Sequence, residues 1–129
     1  MLILDASSLY EALVGTQKGE AVRMWTAADA SLAAPHVIDV EVLSIIRKEW
    51  LLGRLDRTAA TQSVEDLRDW PAQRFGHGPL LARAWELRHN VRGWDAMYVA
   101  LAEELGGTLL TLDGRLARVD GLLCRVEVL

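Results

Sequence analysis

Apolar and polar positions along this chain follow two different periods. Short apolar runs bounded by polar or turn residues predict buried strands, and stretches with an apolar residue every three or four positions predict amphipathic helices. The predicted strands are residues 2–5, 32–35, 73–75, 108–113 and 123–128. The predicted helices are residues 18–30, 37–52, 58–69, 80–89 and 94–105, with a helical turn at 115–119. Ser7 and Ser8 are candidate caps for a helix after the first strand.

Strands and helical segments alternate throughout the chain. Strands separated by helices pair in parallel through crossovers, which predicts an α/β fold, specifically a three-layer α/β/α sandwich around a mainly parallel sheet. We find no repeat, low-complexity tract or linker, so residues 1–129 are predicted to form a single domain.

Composition narrows the class of protein. The hydrophobic fraction of 51% and the charged fraction of 25% are typical of an ordinary globular chain, and no apolar run is long enough to cross a membrane. Because no secretory segment precedes the first strand, we expect a cytoplasmic protein. The net charge of −4 disfavours nucleic-acid binding by bulk charge, an objection that weakens if some of the acids hold cations. Cys124, the only cysteine, is expected to be a buried thiol.

Two aspartates occupy the ends of predicted strands. Asp5 ends the first strand and Asp113 ends strand 108–113. Ligands of open α/β sheets bind at the carboxyl ends of the strands, so both carboxylates are expected at that edge. Taken singly, each is equally typical of a helix cap or a turn.

Glu41 and Asp95 lie on predicted helices. The helical neighbours of Glu41 are apolar: Val37, Ile38, Val42 and Ile45. A carboxylate beside such a stripe usually has an ion-pair partner or a bound cation, and Arg47 or Arg115 is the candidate partner. Asp95 falls in the first turn of helix 94–105, where the helix dipole favours a negative charge.

Strand ends and helix N-terminal ends share one edge of a parallel α/β fold, so the four acids are predicted to converge. Four carboxylates in one place repel one another unless a divalent cation lies between them, and ligation by oxygen alone favours Mg²⁺ or Mn²⁺ over zinc. The three histidines lack metal-site spacing, and the chain has no phosphate-binding P-loop and no nucleophile elbow. Most of the five tryptophans fall on helix faces, which is more typical of core packing than of base stacking.

Four segments in this order resemble the PIN-domain family, and specifically the VapC-type toxins of toxin–antitoxin modules. The segments are residues 2–7, residues 34–44, residues 94–102 and residues 109–116. By position, Asp5, Glu41, Asp95 and Asp113 match the acidic quartet of that family. Thr111 matches a polar position beside the last acid, and Ser7 matches a hydroxyl near the first.

The resemblance implies an Mg²⁺- or Mn²⁺-dependent endoribonuclease that hydrolyses tRNA or rRNA and is held inactive by a cognate antitoxin protein. Asp5, Asp95 and Asp113 would be metal ligands, and Glu41 would either bind metal or act as the general base. Gly114, Arg115 and Leu116 follow the fourth acid, where some relatives carry a further acid or amide, so the number of metal ions, one or two, stays open.

The residues leave alternatives open. A catalytically silent PIN scaffold that binds protein is the main rival function, whereas a phosphoaspartate enzyme or receiver lacks the acid pair and the late lysine that it needs. Arg88, Arg92 and Arg115 are candidate phosphate contacts. A homodimer is also expected. The surplus apolar residues either line a groove for a partner helix or pack in the core: Trp25, Trp50, Leu51 and Leu52.

Overall fold

The computed structural model describes residues 1–28 and 31–129 and contains a five-stranded sheet. The strands are β1 (Leu2–Leu4), β2 (Leu32–Pro35), β3 (Gln73–Phe75), β4 (Thr108–Thr111) and β5 (Arg125–Val128). The helices are α1 (Ala6–Val14), α2 (Gln17–Ala28), α3 (Val37–Leu51), α4 (Arg57–Asp69), α5 (Leu81–Glu86) and α6 (Gly93–Leu105). Short 3₁₀ helices cover Gly78–Leu80 and Leu116–Arg118.

The sheet is parallel throughout, in the order β3-β2-β1-β4-β5. β1 lies at its centre, and the side chains of Leu2, Ile3 and Leu4 are buried because helices cover the sheet on both faces. Helices α1 to α4 pack against one another, whereas α5 packs on α6, which in turn lies against β1, β2 and β4. The predicted three-layer α/β/α fold is confirmed.

Each predicted element is present in the described part of the chain, and one helix cap and the bounds of three elements are corrected. Asp5, rather than Ser7 or Ser8, caps α1: its carboxylate accepts the Ser8 N–H at 3.0 Å. The predicted strand 108–113 ends at Thr111, because the Thr111 hydroxyl accepts the Asp113 N–H at 2.9 Å and so turns the chain out of the sheet. The strand predicted at 123–128 begins only at Arg125.

The helix predicted at 80–89 is also shorter, and it ends at Glu86. Beyond it the N–H groups of Asn90 and Val91 both bond to the Leu87 carbonyl, a tight turn that buries Val91. The last two positions of the helix predicted at 18–30 lie outside the described residues.

Two further observations concern single side chains. The Cys124 side chain is half-buried rather than fully buried, and burial raises the pKa of its thiol. His77 accepts the Val37 N–H at 3.0 Å, so this imidazole satisfies the first turn of α3. In the described part of the chain, no helix is both long and apolar enough to cross a lipid bilayer.

Candidate active site

Asp5 stands where β1 meets α1, at the carboxyl edge of the sheet. One carboxylate oxygen accepts the Ser8 N–H, and the other accepts the Thr111 hydroxyl at 2.5 Å. Thr111 is fully buried, and its oxygen also accepts the Asp113 N–H. A single hydroxyl therefore connects the acids that follow β1 and β4. Asp5 itself is only 8% exposed, so its orientation is fixed from two sides.

Glu41 lies in the second turn of α3 and receives a hydrogen bond from another element. The Tyr98 hydroxyl of α6 donates to Glu41 Oε1 at 2.8 Å. Burial raises the pKa of Glu41, and the charges of Asp95 and Asp5 raise it further, against the lowering effect of the Tyr98 bond. Burial and the Glu41 carboxylate raise the pKa of Tyr98 as well, so the phenol stays protonated and keeps donating.

Asp95 occupies the first turn of α6 and is half-buried. Burial raises the pKa of its carboxyl, and the charges of Asp5 and Asp113 add to this effect, while Arg92 and Arg115 oppose it. Asp95 is therefore a carboxylate placed among other carboxylates, a position that favours a bound cation or proton.

Asp113 is in a different environment from the other three acids. Its carboxylate accepts the Nε and Nη2 groups of Arg115, the latter at 2.8 Å, and also the Arg115 backbone N–H at 2.9 Å. These bonds from Arg115 lower the pKa of Asp113 to about 2. Asp113 is thus ionised and already paired, at the outer rim of the site.

All four predicted acids line one cleft of about 350 Å³. Its walls also include Ser7, Tyr98 and Arg115. The one positive side chain among these lining residues is Arg115, which leaves an excess of negative charge in the cleft. Among the described residues, no three acid side chains are close enough together to hold one metal ion as they stand. Mg²⁺ is commonly held by one or two carboxylates, with waters completing its coordination, so fewer than three of these acids are enough to bind it.

The lining residues fit a hard divalent cation. They offer carboxylate and hydroxyl oxygens without thiol or imidazole, a donor set that suits Mg²⁺ or Mn²⁺. The raised pKa values of Glu41 and Asp95 show that burial and mutual repulsion penalise their ionised forms, a penalty that a cation would relieve. The assignment of the four acids as ligands stays a prediction.

Sequence reasoning missed two partners at this site. Glu41 is paired with Tyr98 rather than with Arg47 or Arg115, because Tyr98 projects from α6 into the cleft. One signal was present in the sequence: Tyr98 lies three positions after Asp95, and that spacing places both side chains on the same face of a helix. Arg115, predicted to contact phosphate, is the partner of Asp113. Ser7 lies at the cleft as expected, although nothing tests its role.

The expected burial of the tryptophans is wrong for three of the five. Trp85 is 66% exposed, Trp94 is 65% exposed and Trp50 is 48% exposed. Leu51 and Leu52 are exposed as well, whereas Trp25 packs against the core. Helical spacing placed these residues on a face without showing whether another element covers that face.

Comparison with known proteins gives concordant results. The family model described as PIN domain matches residues 2–122. Ribonuclease VapC1 of Mycobacterium tuberculosis is 35% identical over 127 residues, covering 98% of this chain and 96% of the relative. Ribonuclease VapC3 of the same organism is 41% identical over 118 residues, covering 91% and 85%.

Solved structures agree with the fold. PAE2754 from Pyrobaculum aerophilum superposes with a TM-score of 0.72 at 27% identity, covering 98% of this chain and 83% of its own. VapC20 of Mycobacterium tuberculosis, a toxin that cleaves the sarcin–ricin loop, gives a TM-score of 0.67 at 20% identity, covering 95% and 97%. At that identity the second likeness is evidence for the fold alone.

Proposed function

The chain belongs to the PIN domain family, and from this membership and its acidic cleft we propose that it is a metal-dependent endoribonuclease of the VapC type. The observation that carries the proposal is the convergence of Asp5, Glu41, Asp95 and Asp113 on one cleft at the carboxyl edge of the sheet. The ribonucleases VapC1 and VapC3 are similar over nearly the whole chain, which supports the same chemistry.

In the proposed reaction, a water oxygen forms a bond to the RNA phosphorus while the bond from phosphorus to the leaving sugar oxygen breaks. Asp5, Asp95 and Asp113 would hold Mg²⁺ or Mn²⁺, which when bound activates water and neutralises charge on the phosphate. Glu41 keeps Oε2 free of the Tyr98 bond, so this oxygen is available to take the proton from the attacking water. Thr111 and Tyr98 hold the carboxylates of Asp5 and Glu41 in place.

Two helix-capping aspartates provide a matched test of the nuclease proposal. Asp5 and Asp56 each cap a helix by accepting the N–H three residues later, at 3.0 and 2.8 Å, but only Asp5 lies in the cleft. Asparagine is an equally good cap, so Asp5→Asn and Asp56→Asn should both keep the fold. The assay is cleavage of labelled tRNA and rRNA with Mg²⁺, Mn²⁺ or EDTA.

We expect the wild type and Asp56→Asn to cleave RNA only with metal, and Asp5→Asn to be inactive. Equal cleavage by all three proteins, or none with any metal, would contradict the proposal. The second result would favour a silent scaffold that binds protein.

We further propose that an antitoxin protein inhibits this nuclease. A second hollow, between α3 and α4, has apolar walls and two arginines at its edge: Leu43, Ile46, Trp50, Ala60, Val64, Arg47 and Arg57. The apolar walls of this hollow, which lies between two helices, and its flanking arginines suit an amphipathic helix with acidic residues. Co-expression with an antitoxin encoded beside the gene should yield a stable complex that lacks nuclease activity, and Trp50→Asp should weaken it. The predicted homodimer is tested by the mass of the isolated protein in light scattering.

A further inference from the structure

A third hollow opens beside the N-terminal end of α6, with a volume of about 470 Å³. We name it the α5–α6 hollow; most of its wall is apolar and is supplied by Leu81, Trp85, Val91, Ala96 and Met97. Two cations, Arg88 and Arg92, complete it. Its volume falls in the range of small-molecule sites, which is large enough for one nucleotide.

The α5–α6 hollow is linked to the acidic cleft by lining residues that they share with a third depression. A smaller depression of about 190 Å³ lies between them. It shares Val91 and Arg92 with the α5–α6 hollow, and it shares Asp95, Asp113 and Arg115 with the cleft. One surface path therefore leads from the carboxylates, past two arginines, to an apolar recess.

Trp85 is the large aromatic surface in this recess, and its ring is held from one side. The Arg88 guanidinium carbon lies 4.3 Å from the centroid of the indole, and Arg88 Nη1 donates to the Trp85 carbonyl at 2.9 Å. Even with this cover, Trp85 is 66% exposed. An exposed indole with a cation against one face is a stacking surface, and its two side-chain torsions cost little conformational entropy to order.

We propose that the α5–α6 hollow binds one unpaired base of the RNA substrate, stacked on Trp85, while Arg92 and Arg115 contact the phosphates that lead to the cleft. This rests on the proposed ribonuclease function and specifies its substrate as single-stranded at that position. Bases in a duplex already have both faces stacked, whereas bases in loops are free to stack on aromatic side chains.

The positive charge along this path favours RNA, rather than another protein surface, as the occupant of the α5–α6 hollow. Arg88, Arg92 and Arg115 line the path, and a polyanion gains from all three, whereas the apolar face of a second copy of this chain would gain from none. The cations also counter the repulsion between the phosphates and the acids of the cleft.

The test is binding, measured in EDTA so that metal-dependent cleavage does not interfere. The probe is a fluorescein-labelled oligoribonucleotide of twelve residues and mixed sequence, compared with its duplex and with an abasic strand by fluorescence anisotropy at low salt. The variants are Trp85→Ala and Trp85→Phe. Trp50→Ala is the matched control, because Trp50 is also exposed but lines the separate hollow between α3 and α4.

We expect the wild type to prefer the single strand to both the duplex and the abasic strand. Trp85→Ala should weaken single-strand binding by roughly 5- to 150-fold, the usual range for loss of one stacked base, and leave binding of the abasic strand unchanged. Trp85→Phe should keep most of the affinity, and Trp50→Ala should keep all of it.

Three results would overturn the inference. The first is unchanged RNA binding by Trp85→Ala, and the second is an equal loss of affinity for the single strand and the abasic strand. The third is conversion of a wild-type dimer into a monomer by Trp85→Ala, which would make the hollow a self-association surface. If RNA is cleaved but Trp85 has no effect, only this inference fails. If single-strand preference depends on Trp85 but no metal supports cleavage, the ribonuclease proposal fails and the base site stands.

Discussion

The inner and outer sides of the acidic cleft differ in how their charges are compensated. On the inner side, Glu41 and Asp95 are half-buried among other acids, and burial together with repulsion raises the pKa of each. On the outer side, Asp113 is bound to Arg115, and its pKa falls to about 2. The ionised carboxylate is therefore disfavoured on the inner side of the cleft and stabilised on the outer side.

This difference indicates where a cation gains most. An ionised carboxylate that is desolvated and repelled by neighbours raises the free energy of the folded state, and a bound cation removes that penalty. At Asp113 a guanidinium has already done so, and a metal ion must compete with it. The inner acids are accordingly expected to dominate metal affinity, and the outer pair to modulate it.

The largest expected effect separates the two sides directly. Asp95→Asn should lower RNA cleavage by more than about 100-fold, since a direct ligand matters more than the outer-shell partners whose loss costs about that much. Asp113→Asn should lower it less. Without metal, Asp95→Asn should also raise the melting temperature, because the amide removes a repelled charge, whereas Asp113→Asn should lower it by breaking the pair with Arg115.

Cleavage rates and melting curves with and without Mg²⁺ check this prediction. Equal losses of activity for the two variants would show that the sides of the cleft are not functionally different. A lower melting temperature for Asp95→Asn in EDTA would show that its carboxylate stabilises the fold.

An intermediate effect is expected at the hydroxyl that connects both sides. Thr111→Val keeps the shape of the buried side chain but leaves the Asp5 carboxylate and the Asp113 N–H without this partner. We expect metal affinity or activity to fall by about 10- to 100-fold and stability to fall by about 1–3 kcal/mol. Thr111→Ser should restore both, because it returns the hydroxyl.

Metal affinity by titration calorimetry, measured well below the melting temperature, separates the loss of positioning from unfolding. If Thr111→Val were destabilised but bound Mg²⁺ as tightly as the wild type, the role of Thr111 would be structural only.

The fold and the four acids were accessible from the sequence for one physical reason. Buried parallel strands have short apolar runs in their sequence, so the pattern locates the ends of β1 and β4 to within two residues. That is enough to place Asp5 and Asp113 at the carboxyl edge of the sheet. The helix periods of α3 and α6 then place Glu41 and Asp95 near the same edge.

What escaped prediction depends on contacts between elements that are distant in sequence. The bond from Tyr98 to Glu41 spans 57 positions, and an amphipathic pattern marks Tyr98 only as one more core residue. The exposure of Trp85 was not predicted because a helical pattern does not show which helix faces are covered by other elements. Trp85 lies in the last turn of α5, and its side chain is exposed.

The smallest expected effect concerns the outer pair itself. In Arg115→Ala the guanidinium no longer competes for Asp113, so the pKa of Asp113 should rise from about 2 toward its ordinary value and Mg²⁺ affinity should increase by roughly two- to fivefold, the scale of exposed ion pairs. The KM for RNA should increase at the same time, because a phosphate contact beside the cleft is lost. These opposite changes distinguish a competing cation from a structural one.

Arg68→Ala is the control, since Arg68 is about as exposed as Arg115 and pairs with the more exposed Asp69 at 3.0 Å on α4, with neither residue among those that line the cleft. It should change neither constant. If Arg115→Ala weakened Mg²⁺ binding, Arg115 would be holding Asp113 in a ligating position instead of competing for it. Asp113 on the outer side would then bind metal as Glu41 and Asp95 on the inner side do, and the two sides of the cleft would differ only in solvent exposure.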